Sequence, residues 1–182
     1  MIDLAEKHRQ LKLLKWLTIA LFLKLVFLFV YPYVFYVQQL LIYLAFMKSL
    51  SYFKGKSLAK HFIFIGLILL IANIVSFPMT WYLVLSVSVD LLIILEFGKI
   101  LVEIEKQYNM LDSTAKIIKQ YMRIVLCVTA SWTFLMNIKY FEMVSLLIIG
   151  VVLIVIVNLR LLFLLYSLRK SIKSTMRVVM YS

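Results

Sequence analysis

Histidine, cysteine and acidic residues are scarce in this 182-residue chain, and each scarcity removes a class of chemistry. The two histidines, His8 and His61, are too few for multi-histidine haem ligation or a His-rich metal site. A single cysteine, Cys127, rules out an intramolecular disulfide, and its place in an apolar run suits a small packing residue. No histidine falls at its depth, so a Cys-His nucleophile is not expected. The G-x-S-x-G, H-E-x-x-H and P-loop patterns are missing as well. The expectation is a protein that is not an enzyme and has no catalytic residue, no metal and no cofactor.

Glycine and proline are equally sparse. The four glycines are Gly55, Gly66, Gly98 and Gly150, and the two prolines, Pro32 and Pro78, fall at expected outer turns rather than inside an expected span. Transporter sites are commonly built where spans are broken by these residues, so the helices here are expected to be continuous. Few small residues also argue against close GxxxG-type packing and for contacts made by bulky Leu, Ile, Val and Phe.

What is abundant is apolar surface. Hydrophobic residues make up 65% of the chain, against roughly 45 to 50% in a soluble domain, which points to lipid as solvent. The net charge of +12 invites comparison with nucleic-acid binders, but its distribution argues against them. Eighteen of the twenty basic residues fall in four clusters, within 1–16, 48–60, 99–123 and 160–182, and only Lys24 and Lys139 lie elsewhere. Bunching of this kind follows from the positive-inside rule when all four clusters face the cytoplasm. Four cationic segments on one side require an even number of crossings. The fold class expected is therefore all-α, a polytopic transmembrane helical bundle of six spans arranged as three helical hairpins, with both termini cytoplasmic.

The spans are placed at about 16–31, 33–47, 61–77, 79–98, 121–137 and 143–168, followed by a basic interfacial tail at 169–182, all in one integral membrane domain. The first apolar run is too long for the core of a signal peptide, so it is expected to remain as a span. Residues 16–47 would extend about 48 Å as one helix, well beyond a bilayer core, and division at Tyr31-Pro32-Tyr33 relieves the excess. Two short spans, a re-entrant hairpin and a single kinked span all fit that stretch, and the charge distribution favours a hairpin. Beyond Gly98, Glu96, Lys99, Glu103 and Lys106 share one helical face, so the fourth helix is expected to continue into the cytoplasm. Asp112 or Ser113 suits the N-cap of the next helix. Trp81 and Tyr82 are expected at the outer membrane surface, and Trp16, Tyr52, Tyr108 and Tyr121 at the inner one.

The chain is organised around Asp90, a carboxylate inside an apolar stretch. An acid at that depth costs on the order of 2.5 to 3.5 kcal/mol, so a partner is expected. Lys24 and Asp90 lie at similar depths from the inner surface, roughly 12 to 14 Å, and form the first candidate pair. Glu96 and Arg160 form a second near the inner interface. Gln38, Gln39, Asn73 and Asn158 are secondary polar candidates, most simply as interhelical hydrogen-bonders.

The expected function is that of a non-enzymatic accessory, sensory or immunity-type component of the cytoplasmic membrane, acting through helix contacts and a basic cytoplasmic face. The alternative is a small transporter or channel subunit with a proton or ion relay through Lys24 and Asp90. Expected partners are a bilayer with anionic headgroups at its inner face and another membrane protein or a second copy of the chain. The setting expected is a multi-pass protein of a bacterial cell membrane. No family resemblance emerges: the His and Cys pattern of peptide-maturing membrane peptidases and the Gly- and Ala-rich spans of vitamin-capture subunits are both missing.

Overall fold

Straight-chain and branched apolar residues uninterrupted by proline propagate a helix wherever their backbone polar groups must be satisfied within the segment. The computed structural model describes residues 4–27, 35–75, 79–108, 113–137 and 144–180. Among the described residues there are six α-helices and no strand: α1 (Leu4–Phe27), α2 (Phe35–Leu50), α3 (Ala59–Val75), α4 (Met79–Gln107), α5 (Thr114–Asn137) and α6 (Val144–Met180). Tyr31-Pro32-Tyr33, Pro78 and Lys139 lie outside the described residues.

Within 16–47 the described residues belong to two antiparallel helices, α1 and α2, not to one kinked rod. Near one end of the pair Gln38 Nε2 donates to the Leu23 carbonyl at 2.8 Å, and near the other Ser49 Oγ donates to the Leu13 carbonyl at 2.9 Å. Helix α1 begins at Leu4, roughly three turns before Trp16, because the basic N-terminal stretch still carries an apolar stripe that packs inward. Leu13, Leu14 and Leu17 of that stripe are in the core.

Helix α4 continues past Gly98 to Gln107, as its charge pattern leads one to expect. Helix α6 differs from expectation at its C-terminal end. The segment after Leu168 is not a separate helix lying flat on an interface. It continues α6, which runs 37 residues in all, about 55 Å, with Ile172 fully buried in the core and Lys7 Nζ donating to the Thr175 carbonyl at 3.5 Å. Burial of Ile172 against the bundle gives the apolar face of the tail a protein partner.

Each helix packs on its neighbours in sequence, and α6 returns against α1 to close a ring. Hydrogen bonds at one end tie α1 to α4 (Gln10 to Gln107), α1 to α6 (Lys7 to Thr175) and the α2–α3 connection to α4 (Leu58 to Glu96). The regions that carry the four cationic clusters therefore share one end of the bundle. The outward faces are apolar: Phe22, Leu44, Phe64, Ile71, Leu126 and Phe163 are all exposed. Helix α6 is long and apolar enough, over Ile148–Thr175, to cross a membrane, and Ala59–Val75 is a shorter apolar helix.

Glycine contributes more to packing than its scarcity suggests. A β-carbon at Gly66 of α3 would lie 2.6 Å from the Tyr43 ring on α2, and one at Gly150 of α6 would lie 2.9 Å from the Trp132 indole nitrogen on α5. Two of the helix contacts are thus closer than bulky side chains alone would permit.

Candidate functional site

Helical periodicity lines up two facing polar stripes. On α4, Tyr82, Ser86 and Asp90 recur every four residues, and on α2, Tyr36, Gln39 and Tyr43 recur at intervals of three and four, so each set occupies one face. Both faces turn inward: Tyr82, Ser86, Asp90, Gln39 and Tyr43 are buried. Each stripe runs about 10 to 12 Å from the end of its helix toward the middle of the bundle.

Lys24 of α1 meets the inner end of these stripes. Its Nζ donates to Asp90 Oδ2 at 2.7 Å, with side-chain exposures of 21% and 10%, which is a charge-assisted contact well inside the bundle. Tyr121 of α5 lies within electrostatic range of both charges, with Asn158 of α6 beside it. Tyr43 and Tyr82 also lie within electrostatic range of Asp90, Tyr43 with Gln39 close by as well, although neither hydroxyl makes a hydrogen bond of good geometry. Helix α3 joins through Asn73, whose Oδ1 accepts from the Tyr36 hydroxyl at 2.9 Å. Every helix of the ring therefore supplies a polar side chain to this interior.

Hydrogen-bonding capacity exceeds what the protein groups use. Asp90 Oδ1, the Tyr43 and Tyr82 hydroxyls, Gln38 Oε1 and Asn158 Oδ1 are buried with no protein partner, while Gln38 and Asn158 spend their amide donors on the Leu23 and Ile154 carbonyls. Unpartnered buried polar atoms are rare in native interiors, and concentrating several around one ion pair marks the centre as unusual.

The opposite side of the pair is dry. Toward the cationic end, Leu17, Leu21, Ile94, Phe97, Leu101, Ile118 and Leu161 enclose a space of only about 10 Å³. Such a void is too small to hold water comfortably, and no polar group lines it. Phe46 and Phe97, with ring centroids 5.4 Å apart, add to this layer. The polar interior is thus one-sided, reaching from the end where α2 and α4 begin to the ion pair and stopping there.

The second candidate pair does not form. Glu96 is buried and pairs with Lys99, and its other oxygen accepts from the Leu58 backbone at 3.1 Å and from Ser57 at 3.3 Å. Arg160 is exposed on α6 and donates to Gln120 of α5 at 3.2 Å. Equal depth along the helix axes says nothing of azimuth, and the two side chains face different neighbours. Glu96 instead satisfies the start of α3, as a carboxylate at a helix N-terminus should.

Several interior residues escaped the sequence reading. Tyr82 and Tyr121, assigned to the membrane surfaces, are buried beside the charges, and Tyr43 is fully buried although nothing in its apolar surroundings drew attention to it. Glu105 is 1% exposed, and its carboxylate accepts from the backbone nitrogens of Ser113 and Thr114 at 3.1 to 3.3 Å, closing the start of α5. The signal was present: Glu105 lies off the Glu96, Lys99, Glu103 and Lys106 face. Ser113 sits at the expected N-cap position, and Asp112 lies outside the described residues. Cys127 faces outward on α5 and is not a packing residue, and His8 and His61 are both exposed.

No known protein family matches this chain, and no characterised protein or solved structure is significantly similar to it. Functional inference rests on the geometry just described.

Proposed function

We propose that this chain is a six-span protein of the cytoplasmic membrane, with both termini inside, acting without catalysis as an accessory or sensory component. The apolar outward faces of the helices and the gathering of cationic segments at one end support the membrane reading. The observation that carries the functional part is the one-sided polar interior. An ion pair sealed from the cationic end by a layer of leucine, isoleucine and phenylalanine is a fixed charge centre that joins helices, not a continuous conducting path. Such a centre can hold the bundle in register or report a change arriving from the polar side.

If the protein works as an accessory component, purification in a gentle detergent brings down a second membrane protein in constant ratio. A preparation that is repeatedly monomeric and alone defeats this reading.

A relay or transport role is the second reading, favoured by the unpartnered Asp90 Oδ1 and the neighbouring tyrosine hydroxyls, which offer a chain of groups able to exchange protons. Under it, reconstituted vesicles show a proton or solute flux that Asp90→Asn abolishes while the helical content persists. Flux unchanged in that variant removes Asp90 from the pathway.

A further inference from the structure

At the cationic end, between the first turns of α1, the α2–α3 connection and the last turns of α4, lies a cavity of about 470 Å³. Its charged lining comes from separate elements: Arg9 and Glu6 from α1, Lys54 and Lys56 from the connection, and Glu103 from α4. Arg9 is the informative residue. Its Nη1 is buried with no hydrogen-bond partner, and among the described residues neither Glu6 nor Glu103 makes an ion pair with it. The guanidinium is thus not neutralised by a carboxylate, and Arg9, half-buried as a whole, lines the cavity, so an acceptor supplied by a ligand there is favourable. The nearby amides are occupied, since Gln10 donates to Gln107 at 2.7 Å and accepts from Tyr108 at 2.8 Å. Gln10 is thus held as part of the wall and is not free to satisfy Arg9.

We propose that this cavity binds a phosphate group, with Arg9 as its principal contact and Lys54 and Lys56 as flanking charges. Three cations from two elements suit a tetrahedral group that accepts hydrogen bonds from several directions, and the arginine fork supplies directional donors that lysine does not. The two glutamates reduce the lining to a net charge of about +1, which selects a compact, singly phosphorylated ligand over a polyanion. Two sources share this chemistry, a phospholipid headgroup of the inner leaflet and a small soluble phosphate. The lipid source rests on the membrane reading above, and the soluble source does not.

The test uses the full chain in a neutral detergent. Native mass spectrometry with added phosphatidylglycerol, against phosphatidylcholine as reference, reads the lipid arm, and thermal stabilisation by inorganic phosphate reads the soluble arm. In at least one arm, Arg9→Gln is expected to weaken binding by about tenfold, equivalent to about 1.4 kcal/mol. The paired change Lys54→Gln/Lys56→Gln, in an exposed connection where the fold is not at risk, is expected to weaken it similarly. Lys119→Gln, an exposed cation outside the cavity, should leave binding unchanged. Lipid retention alone assigns the headgroup, stabilisation by phosphate alone assigns the soluble source, and both together assign a site open to either. If neither probe binds, or if Arg9→Gln and Lys119→Gln have equal effects, the site is overturned. That failure is independent of the oligomeric and flux measurements.

Discussion

Asp90 shows how much a single residue can demand of a helical interior. Held 2.7 Å from Lys24, its carboxylate has a charge partner, yet its second oxygen accepts from no protein donor, and Tyr43 and Tyr82 lie within electrostatic range of it. Desolvating both charges costs several kcal/mol, and only their attraction and the surrounding dipoles offset it. Removing one partner is therefore worse than removing both. Lys24→Met or Asp90→Leu alone is expected to cost about 3 to 5 kcal/mol, and the double change less than the sum of the two. Thermal unfolding of the four proteins in one detergent measures the coupling, and strictly additive losses would show that the contact contributes nothing.

Two acids of α4 act at the scale of the element. Glu96 and Glu105 cap the starts of α3 and α5, so a single helix satisfies the free backbone donors of the helices on either side of it. Glu105 is the more deeply placed: one carboxylate oxygen accepts from the Ser113 backbone nitrogen and hydroxyl, and the Thr114 backbone nitrogen donates to both oxygens. An N-cap is worth about 0.5 to 2 kcal/mol, and hydrogen bonds to a buried charge raise that figure. Glu105→Ala is expected to lower stability by about 2 to 3 kcal/mol and to speed amide exchange at Ser113 and Thr114 first. Unchanged exchange there would mean that α5 is held by packing alone. Near the end of α4, burial together with the nearby Glu6 charge pushes the Tyr108 phenol up, so its hydroxyl stays protonated and keeps donating to Gln10.

For the whole molecule, apolar outer faces surround an interior that is largely apolar and carries polar side chains around the Lys24–Asp90 pair. If the six helices cross a bilayer, the α2–α3 connection and the C-terminal part of α6 lie on the same side. In a Cys127→Ala background, Lys56→Cys and Lys170→Cys are expected to react with a membrane-impermeant maleimide only after the cytoplasmic face is opened. Reaction of the two from opposite faces would undo the even number of crossings.

Helix content, the division between α1 and α2 and the depth of the charged residues were legible in the sequence, because apolar run length, proline position and 1.5 Å of rise per residue are local properties of one chain segment. The Lys24 and Asp90 depths were read that way. Azimuth was not, since it depends on how neighbouring helices rotate against one another. For that reason Glu96 and Arg160, equal in depth, face apart, and Tyr82 and Tyr121, suited by type to an interface, turn inward beside the ion pair. Composition and spacing determined which residues stand at each level of the bundle. Packing around the closed ring decided which of them meet.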